Sequence, residues 1–228
     1  MAKQAHPSFS GIYPHLAVTN DWHSECGIGT VVWYAGRLYW ITYPASGPRG
    51  GGAKLYSTDE SLALRVHPES VGGTHANRHI HPATGKLVIG LHVIAPDGTV
   101  ASFDPARLFG RITGTGDSLH DPAEWVYINT MEDGFYEANV NTLAVRRLRR
   151  DIISAMSNRD ARLAAAREKL FGDHGKGGYT AQGVFIRTNN AHLGLLAEWD
   201  GRGDAQQRSS WRVIDRNKYT EVTGPGGI

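Results

Sequence analysis

The chain has 228 residues, of which 24 are lysine or arginine and 22 are aspartate or glutamate, so its formal net charge at pH 7 is +2. This balance lacks the basic footprint of a protein that binds nucleic acid or a membrane surface, and no apolar run approaches the roughly 18 residues that a membrane-spanning helix needs. The length suits one domain with a substantial core, and the single cysteine, Cys26, excludes an internal disulfide.

Five glycine-rich stretches recur along the chain. They begin at Gly27, Gly72, Gly110, Gly177 and Thr223, at intervals of 45, 38, 67 and 46 residues. The long interval contains an insertion of about 25 residues, which leaves a period of about 42, the spacing of four-stranded propeller blades. Glycine suits the innermost strand of a blade, because the blades converge there and their backbones approach closely. The sequence therefore predicts an all-β protein, a β-propeller of four to five blades, either complete or incomplete.

Short segments rich in β-branched and aromatic residues follow each marker, as the strands of a blade would. The first unit predicts strands over 30–33, 37–43, 54–57 and 62–66. The second predicts strands over 86–95 and 98–104, joined by the turn Pro96-Asp97-Gly98. The third predicts strands over 124–130, 134–140 and 144–148, and the fourth over 184–188, 193–200 and 211–215. Four nearly complete blades result, and a fifth begins at Tyr219.

The β pattern breaks between the third and fourth units. Apolar residues at helical spacing, with arginines between them, predict a helical insertion over 149–171. A surface excursion is the preferred interpretation. A lid over the central mouth is the alternative, since the segment returns into Asp173-His174-Gly175-Lys176.

A single propeller domain extends over residues 1–228. Because the fifth unit stops at Ile228 after one strand, we expect a domain truncated at its C-terminus that can associate through an open propeller edge. Ring closure by the N-terminal segment 7–18 is the alternative. The first residues lack the apolar core of a signal peptide, which predicts a cytoplasmic location, or an exported one if a leader has been removed.

Candidate functional residues lie just before the inner strands and on their first positions, which line the channel mouth of a propeller. Radial repetition should bring them into one polar pocket. The predicted catalytic residues are His174, Tyr179 and Glu25. The predicted substrate-binding residues are His23, His75, Asn77, Arg78, Lys176 and Gln182.

The second unit also carries a His-x-His pair. On a strand over 74–81, His79 and His81 point to one face together with His75 and Asn77, while Arg78 points to the other. The pair lies close enough to share a divalent metal ion, which is the one cofactor that the sequence suggests. Interblade hydrogen bonds of the two histidines are the preferred interpretation.

Several segments resemble a poorly characterised family of bacterial propeller proteins. They include Glu25-Cys26-Gly27-Ile28-Gly29, Gly72-Gly73-Thr74-His75-Ala76-Asn77-Arg78 and His174-Gly175-Lys176-Gly177-Gly178-Tyr179, together with 10–18 and 219–227. The family members are longer, so the resemblance implies that this chain is the N-terminal portion of such a protein. The chain is more loosely similar to the propeller glycosidases and polysaccharide lyases.

Two functions follow from the predicted pocket. The first is a carbohydrate-active enzyme, a lyase or a glycosidase, acting on oligosaccharides that contain uronates: Arg78 or Lys176 would neutralise the carboxylate, and His174 or Tyr179 would transfer protons. The second is a non-catalytic propeller that binds a sugar or a protein partner. The sequence shows no pair of carboxylates at a recognisable spacing for the two-acid hydrolytic mechanism, which favours the lyase.

Overall fold

The computed structural model describes residues 26–44, 54–70, 77–151, 175–189 and 195–215. Sixteen β-strands cover most of these residues, and one short 3-10 turn, Arg208–Ser210, is the only helical element in the described ranges. Within the same ranges, no helix has the length and the apolar character that crossing a membrane requires. The described chain is therefore all-β, as the sequence predicts.

The strands form four antiparallel sheets of four strands each, and every sheet follows chain order. These sheets are consistent with propeller blades and are called blades 1 to 4. Blade 1 contains β1 (Cys26–Tyr34), β2 (Arg37–Pro44), β3 (Leu55–Thr58) and β4 (Leu64–Val66). Blade 2 contains β5 (Arg78–Ile80), β6 (Leu87–Ile89), β7 (His92–Ile94) and β8 (Val100–Ser102). Blade 3 contains β9 (Ile112–Asp117), β10 (Trp125–Thr130), β11 (Gly134–Asn139) and β12 (Val145–Arg150). Blade 4 contains β13 (Gly175–Ala181), β14 (Val184–Asn189), β15 (Leu195–Trp199) and β16 (Arg212–Asp215).

The strands of blade 2 differ from the prediction in one place. The segment 86–95 was predicted as one strand, but it forms two, β6 and β7, which pair with each other. The chain reverses at Gly90, whose φ of 58° lies in the left-handed region that glycine adopts at little cost. The predicted hairpin at Pro96-Asp97-Gly98 is confirmed: the Gly98 amide donates to the Ala95 carbonyl oxygen, and β7 pairs with β8.

The predicted helical insertion begins too early. Arg149 and Arg150 belong to β12, where Arg149 is paired with Phe135 of β11. Arginine is compatible with both a helix and an edge strand, so no residue in this stretch marks the boundary. The rest of the insertion, 152–171, lies outside the described residues, as does the predicted fifth blade from Tyr219 onward.

Glycines sit where neighbouring inner strands meet. A Cβ added at Gly114 of β9 would lie 2.5 Å from the backbone nitrogen and oxygen of Gly178 on β13. One at Gly116 would lie 2.5 Å from the amide nitrogen of Thr180. No Cβ fits at such distances, so these glycines let blades 3 and 4 converge, as predicted from the glycine markers.

Three apolar layers fill the spaces between successive blades. Tyr39 and Ile41 of blade 1 pack with Leu87 and Ile94 of blade 2. The next layer, between blades 2 and 3, contains Val88, Val93, Phe103, Val126 and Ile128. The last layer, between blades 3 and 4, is aromatic and contains Tyr127, Phe135, Phe185, Trp199 and Trp211. Each of these three interfaces therefore has its own buried core.

Blade 1 carries a second apolar face, opposite to the one that packs on blade 2. Trp40 and Tyr56 are stacked there with ring centroids 5.6 Å apart. Val31 and Val66 lie in the same cross-strand row, and both are exposed. The association through an open propeller edge that the sequence predicts stays a prediction.

Candidate functional site

A cavity of about 350 Å³ lies where the inner strands of the four blades come together. Every blade contributes to its wall. Its polar lining consists of Arg78, His79, Thr115, Asp117, Tyr179 and Thr180. Its apolar lining consists of Val32, Ile80, Pro82 and Leu87. The cavity therefore combines a few convergent polar groups with an apolar wall, which is typical of a site for a small ligand.

On β9 and β13 the cavity is lined by the later part of the inner strand, whereas on β5 all three residues, Arg78–Ile80, line it. Thr115 and Asp117 belong to the last three residues of β9, and Tyr179 and Thr180 lie just before the last residue of β13. The sequence predicted the site just before each inner strand and on the first positions of that strand, where Arg78 lies. Among the residues expected there, His23, Glu25, His75 and His174 lie outside the described residues.

Arg78 and His79 extend to opposite sides of β5, as the two-residue period of a strand requires. The Arg78 guanidinium donates to the carbonyl oxygen of Val31 on blade 1. His79 contacts Asp117 on blade 3. Blade 2 is thus tied to both of its neighbours at the wall of the cavity, and both predicted residues line it.

The His79 and Asp117 side chains form the central polar contact of the site. Nε2 of His79 lies 2.8 Å from Oδ1 of Asp117, and both side chains are partly exposed. Since a carboxylate can only accept a hydrogen bond, Nε2 carries the hydrogen and donates it. In the neutral imidazole the lone pair is then on Nδ1. This pairing gives His79 a defined tautomer, with the hydrogen on Nε2.

Thr180 holds the end of β9 against blade 4. Its hydroxyl donates to the backbone oxygen of Asp117 at 2.6 Å. Because Gly116 brings the two strands close together at the same level, Asp117 is fixed through its backbone as well as its side chain. Neither Asp117 nor Thr180 was predicted as a site residue. Asp117 and Thr180 belong to the site because of contacts between separate blades. His79 and Asp117, for example, are 38 residues apart in the sequence. No local sequence motif marks either residue.

His81 has a different environment from His79. It is fully buried, with Nδ1 2.8 Å from the Thr84 hydroxyl and Nε2 2.9 Å from the Pro122 carbonyl oxygen. Burial is the main cause that lowers the pKa of His81. The contact of His81 with Pro122, like that of His79 with Asp117, joins blades 2 and 3 and is an interblade hydrogen bond of the kind that the sequence interpretation preferred to a metal site. Among the described residues, no group of three histidine, cysteine, aspartate or glutamate side chains is arranged to hold a metal ion.

The remaining predicted binding residues do not line the cavity. Lys176 is three residues before Tyr179 on β13, which corresponds to about 10 Å along a strand. Gln182 is exposed in the β13–β14 turn, with a φ of 50°. Asn77 is half-buried beside Arg78, and its carbonyl oxygen accepts from the Gly90 amide. The structure brings together Arg78, His79 and Tyr179 at the cavity. Lys176, Gln182 and Asn77 do not line it.

The fold and the cavity define a class: an all-β protein of propeller-type sheets with a cavity of polar and apolar lining among its inner strands. No family model matches the chain, and no curated protein sequence matches it. Among solved structures, the chain is similar to apo AztD from Citrobacter koseri, with a TM-score of 0.37 and 11% sequence identity. The alignment covers 85% of this chain and 49% of that one, so the chain spans about half the length of that structure. This likeness concerns the arrangement of the backbone alone.

Proposed function

We propose that the four sheets are blades of a β-propeller and that the cavity binds a carboxylated sugar, as part of a carbohydrate-active enzyme acting on uronate-containing oligosaccharides. One observation carries the proposal. Arg78, the His79–Asp117 pair and Tyr179, contributed by three different blades, line the same cavity. An anion-binding group, a histidine with a defined tautomer and a phenol are the groups that proton transfer on a uronate requires.

The lining suits a sugar acid in charge and in shape. An arginine guanidinium recognises a carboxylate through two parallel hydrogen bonds, and the contact of Arg78 with Val31 holds the guanidinium at the wall. Val32 and Ile80 offer an apolar surface to the C–H face of a pyranose ring. A volume of about 350 Å³ is at the lower end of the range for ligand sites, which suits one or two sugar rings rather than a long chain segment.

A non-catalytic protein that binds a sugar or a protein partner is the second candidate. The apolar part of the wall favours it, because binding needs no proton donor or acceptor. The partly exposed His79–Asp117 pair favours the enzyme, since a histidine oriented by a carboxylate is a common arrangement for general-base catalysis. The catalytic roles predicted for His174 and Glu25 stay predictions.

Calorimetric titration with a galacturonate or glucuronate oligosaccharide tests the ligand, with the corresponding neutral oligosaccharide as comparison. We expect the uronate to bind, and the Arg78→Met variant to bind it at least about tenfold more weakly, because a charge-assisted contact is lost. Arg107→Met is the matched control, since its side chain is 71% exposed and lies outside the cavity. Equal affinity for the charged and neutral sugars would contradict the proposal.

A further inference from the structure

We propose that acid regulates the cavity: protonation of His67 and His92, two histidines buried between blades 1 and 2, separates these blades and releases the ligand. This inference rests on the proposed function and adds its regulation. Both side chains are at most 1% exposed. A positive charge on either imidazole would therefore be enclosed in an apolar layer, which is unfavourable unless a partner of opposite charge is present.

The two histidines lie on opposite sides of this junction. His92 belongs to β7, two residues before Ile94, and so it lies on the face of blade 2 that packs on blade 1. His67 follows β4 of blade 1, and its ring centroid is 5.6 Å from that of Tyr39, which belongs to the same layer. Burial, and after it the charge of His67, lowers the pKa of His92 to about 3, so the two imidazoles act on each other across the junction.

The hydrogen bonds around His92 fix its tautomer. The Ser102 hydroxyl donates to the Glu69 carbonyl oxygen at 2.7 Å, so it accepts from Nδ1 of His92, 2.9 Å away. Nδ1 therefore carries the hydrogen of the neutral ring, and Nε2 carries the lone pair. Among the described residues, Nε2 has no hydrogen-bond partner. A proton added there would create a buried donor without an acceptor, in addition to a buried charge.

His67 is no better placed to hold a proton. Its Nε2 lies 2.8 Å from the Ser57 hydroxyl, but its Nδ1 has no hydrogen-bond partner in the described part of the chain. Two cations, Arg37 and Arg65, and one carboxylate, Glu69, are the charged side chains that act on its pKa. Burial, followed by the charge of Arg65, lowers this pKa to about 4. The closed junction therefore excludes the imidazolium form of both histidines.

His81, at the junction of blades 2 and 3, provides a contrast. Its Nε2 lies 2.9 Å from the Pro122 carbonyl oxygen, and its Nδ1 lies 2.8 Å from the Thr84 hydroxyl. Both of these oxygens can accept a hydrogen bond, so a protonated His81 keeps a partner at each nitrogen. We therefore expect the junction of blades 2 and 3 to persist at a pH where that of blades 1 and 2 opens.

The junction of blades 1 and 2 extends to the cavity. Val32 of blade 1 and Leu87 of blade 2 belong to the apolar layer between the two blades, and both line the cavity. The contact of the Arg78 guanidinium with the Val31 carbonyl oxygen joins the same two blades there. Separation of the blades would therefore remove part of the cavity wall and the contact that holds the guanidinium.

The sign of the effect follows from the two states of the junction. In the open state both imidazoles should titrate near their ordinary pKa of about 6.5. In the closed state they stay neutral at pH values above about 4. The junction is therefore closed most firmly above about pH 6.5. Between about pH 7 and about pH 5 only the open state binds the protons, which favours opening by about 25-fold for each histidine and about 600-fold for both.

Hydrogen exchange of the ligand-free protein, followed by mass spectrometry and corrected for the intrinsic effect of pH, measures this opening. Between about pH 7 and about pH 5, we expect the opening equilibrium of blade 1 to rise by about 600-fold and that of blade 3 to rise far less. His67→Gln should reduce the rise in blade 1 to about 25-fold, because the amide can keep the contact with Ser57 without titrating. His92→Gln should give the same reduction. His120→Gln, at an exposed histidine of blade 3, is the matched control and should leave the rise unchanged.

Calorimetric titration with a galacturonate oligosaccharide at the same two pH values tests the release. We expect binding to be at least about fivefold weaker at about pH 5, because only the closed fraction binds, and His67→Gln should lessen this decrease. Equal affinity at the two pH values, or a decrease that His67→Gln leaves unchanged, would overturn the regulation and leave the proposed ligand standing. An equal loss of protection in blades 1 and 3 would overturn it as well, since it would indicate global unfolding. Absence of binding at about pH 7 would overturn both the proposed function and its regulation.

Discussion

His79 on β5 and Asp117 on β9 join blades 2 and 3 through a 2.8 Å contact at the wall of the cavity. Thr180 extends the connection to blade 4, and Arg78 extends it to blade 1. The residues that line the cavity thus also link all four blades. Ligand contacts at this place would act directly on the junctions between blades.

The contribution of the His79–Asp117 pair to stability can be measured by a double-mutant cycle with His79→Gln, Asp117→Asn and the double variant. Because both side chains are partly exposed, we expect a modest coupling of about 0.5–1 kcal/mol in the free energy of unfolding. Urea unfolding of the four proteins gives the value. A coupling near zero would mean that the contact orients the imidazole without stabilising the junction.

The close approach of β9 and β13 makes a second prediction. Gly114→Ala places a methyl group 2.5 Å from the Gly178 backbone, and the strands must separate to accommodate it. We expect a loss of about 3 kcal/mol in the free energy of unfolding, at the upper end of overpacking costs. Gly183→Ala is the control: it has a left-handed φ of 76° but nothing within 4 Å of the added Cβ, so it should cost only about 1 kcal/mol. Chemical denaturation distinguishes the two.

Much of the fold is predictable because its signals are local. Apolar and aromatic residues bounded by turn residues predict the strands β10 and β11, and the Asp97-Gly98 dipeptide predicts the turn between β7 and β8. The boundary at Arg149 is different. The same arginine-rich stretch suits a helix face or an edge strand, and pairing with β11 decides between them.

The site is less predictable than the fold, because its composition depends on how the blades meet. Arg78 and Tyr179 lie close to the glycine-rich markers, which made them visible in the sequence. Asp117 resembles any aspartate at the end of a strand, and only the approach of β5 to β9 gives it a partner. The level of the cavity along the inner strands likewise depends on the register between blades, which excludes Lys176 and includes Thr180.

A buried charge cluster lies in the layer between blades 3 and 4 and gives a third prediction. Arg187 Nη2 is 3.3 Å from Asp151 Oδ1 and both side chains are fully buried, while Arg149 Nε is 3.9 Å from the same oxygen. Asp151→Leu would remove the buried carboxylate that faces both guanidinium groups, which should cost about 3–5 kcal/mol of unfolding free energy. Calorimetric melting should show this loss. Glu198→Gln removes the carboxylate of a pair whose arginine, Arg212, is 72% exposed, and it should leave the melting temperature almost unchanged.

The last prediction concerns acid. Burial is the main cause that lowers the pKa of His67 to about 4 and that of His92 to about 3. In the unfolded chain both should titrate near 6.5. Above about pH 6.5 both histidines are neutral in the folded and in the unfolded chain, so the free energy of unfolding has its full value there. As the pH falls from about 6.5 toward about 4, the unfolded chain binds protons that the folded chain does not, so the free energy of unfolding decreases.

Each of the two histidines should contribute a slope of up to about 1.4 kcal/mol per pH unit in this window. Urea unfolding between about pH 7 and about pH 5 measures the slope, in a range where most carboxylates remain ionised in both states. His92→Gln is the informative variant, because an amide can replace the hydrogen bond of Nδ1 with the Ser102 hydroxyl, 2.9 Å away, without titrating. The variant should lose the part of the slope that His92 contributes, and keep the parts of the other buried histidines, His67 and His81. If its stability followed pH as steeply as that of the unaltered protein, His92 would not be a neutral buried histidine, and the acid sensitivity would have to come from other groups.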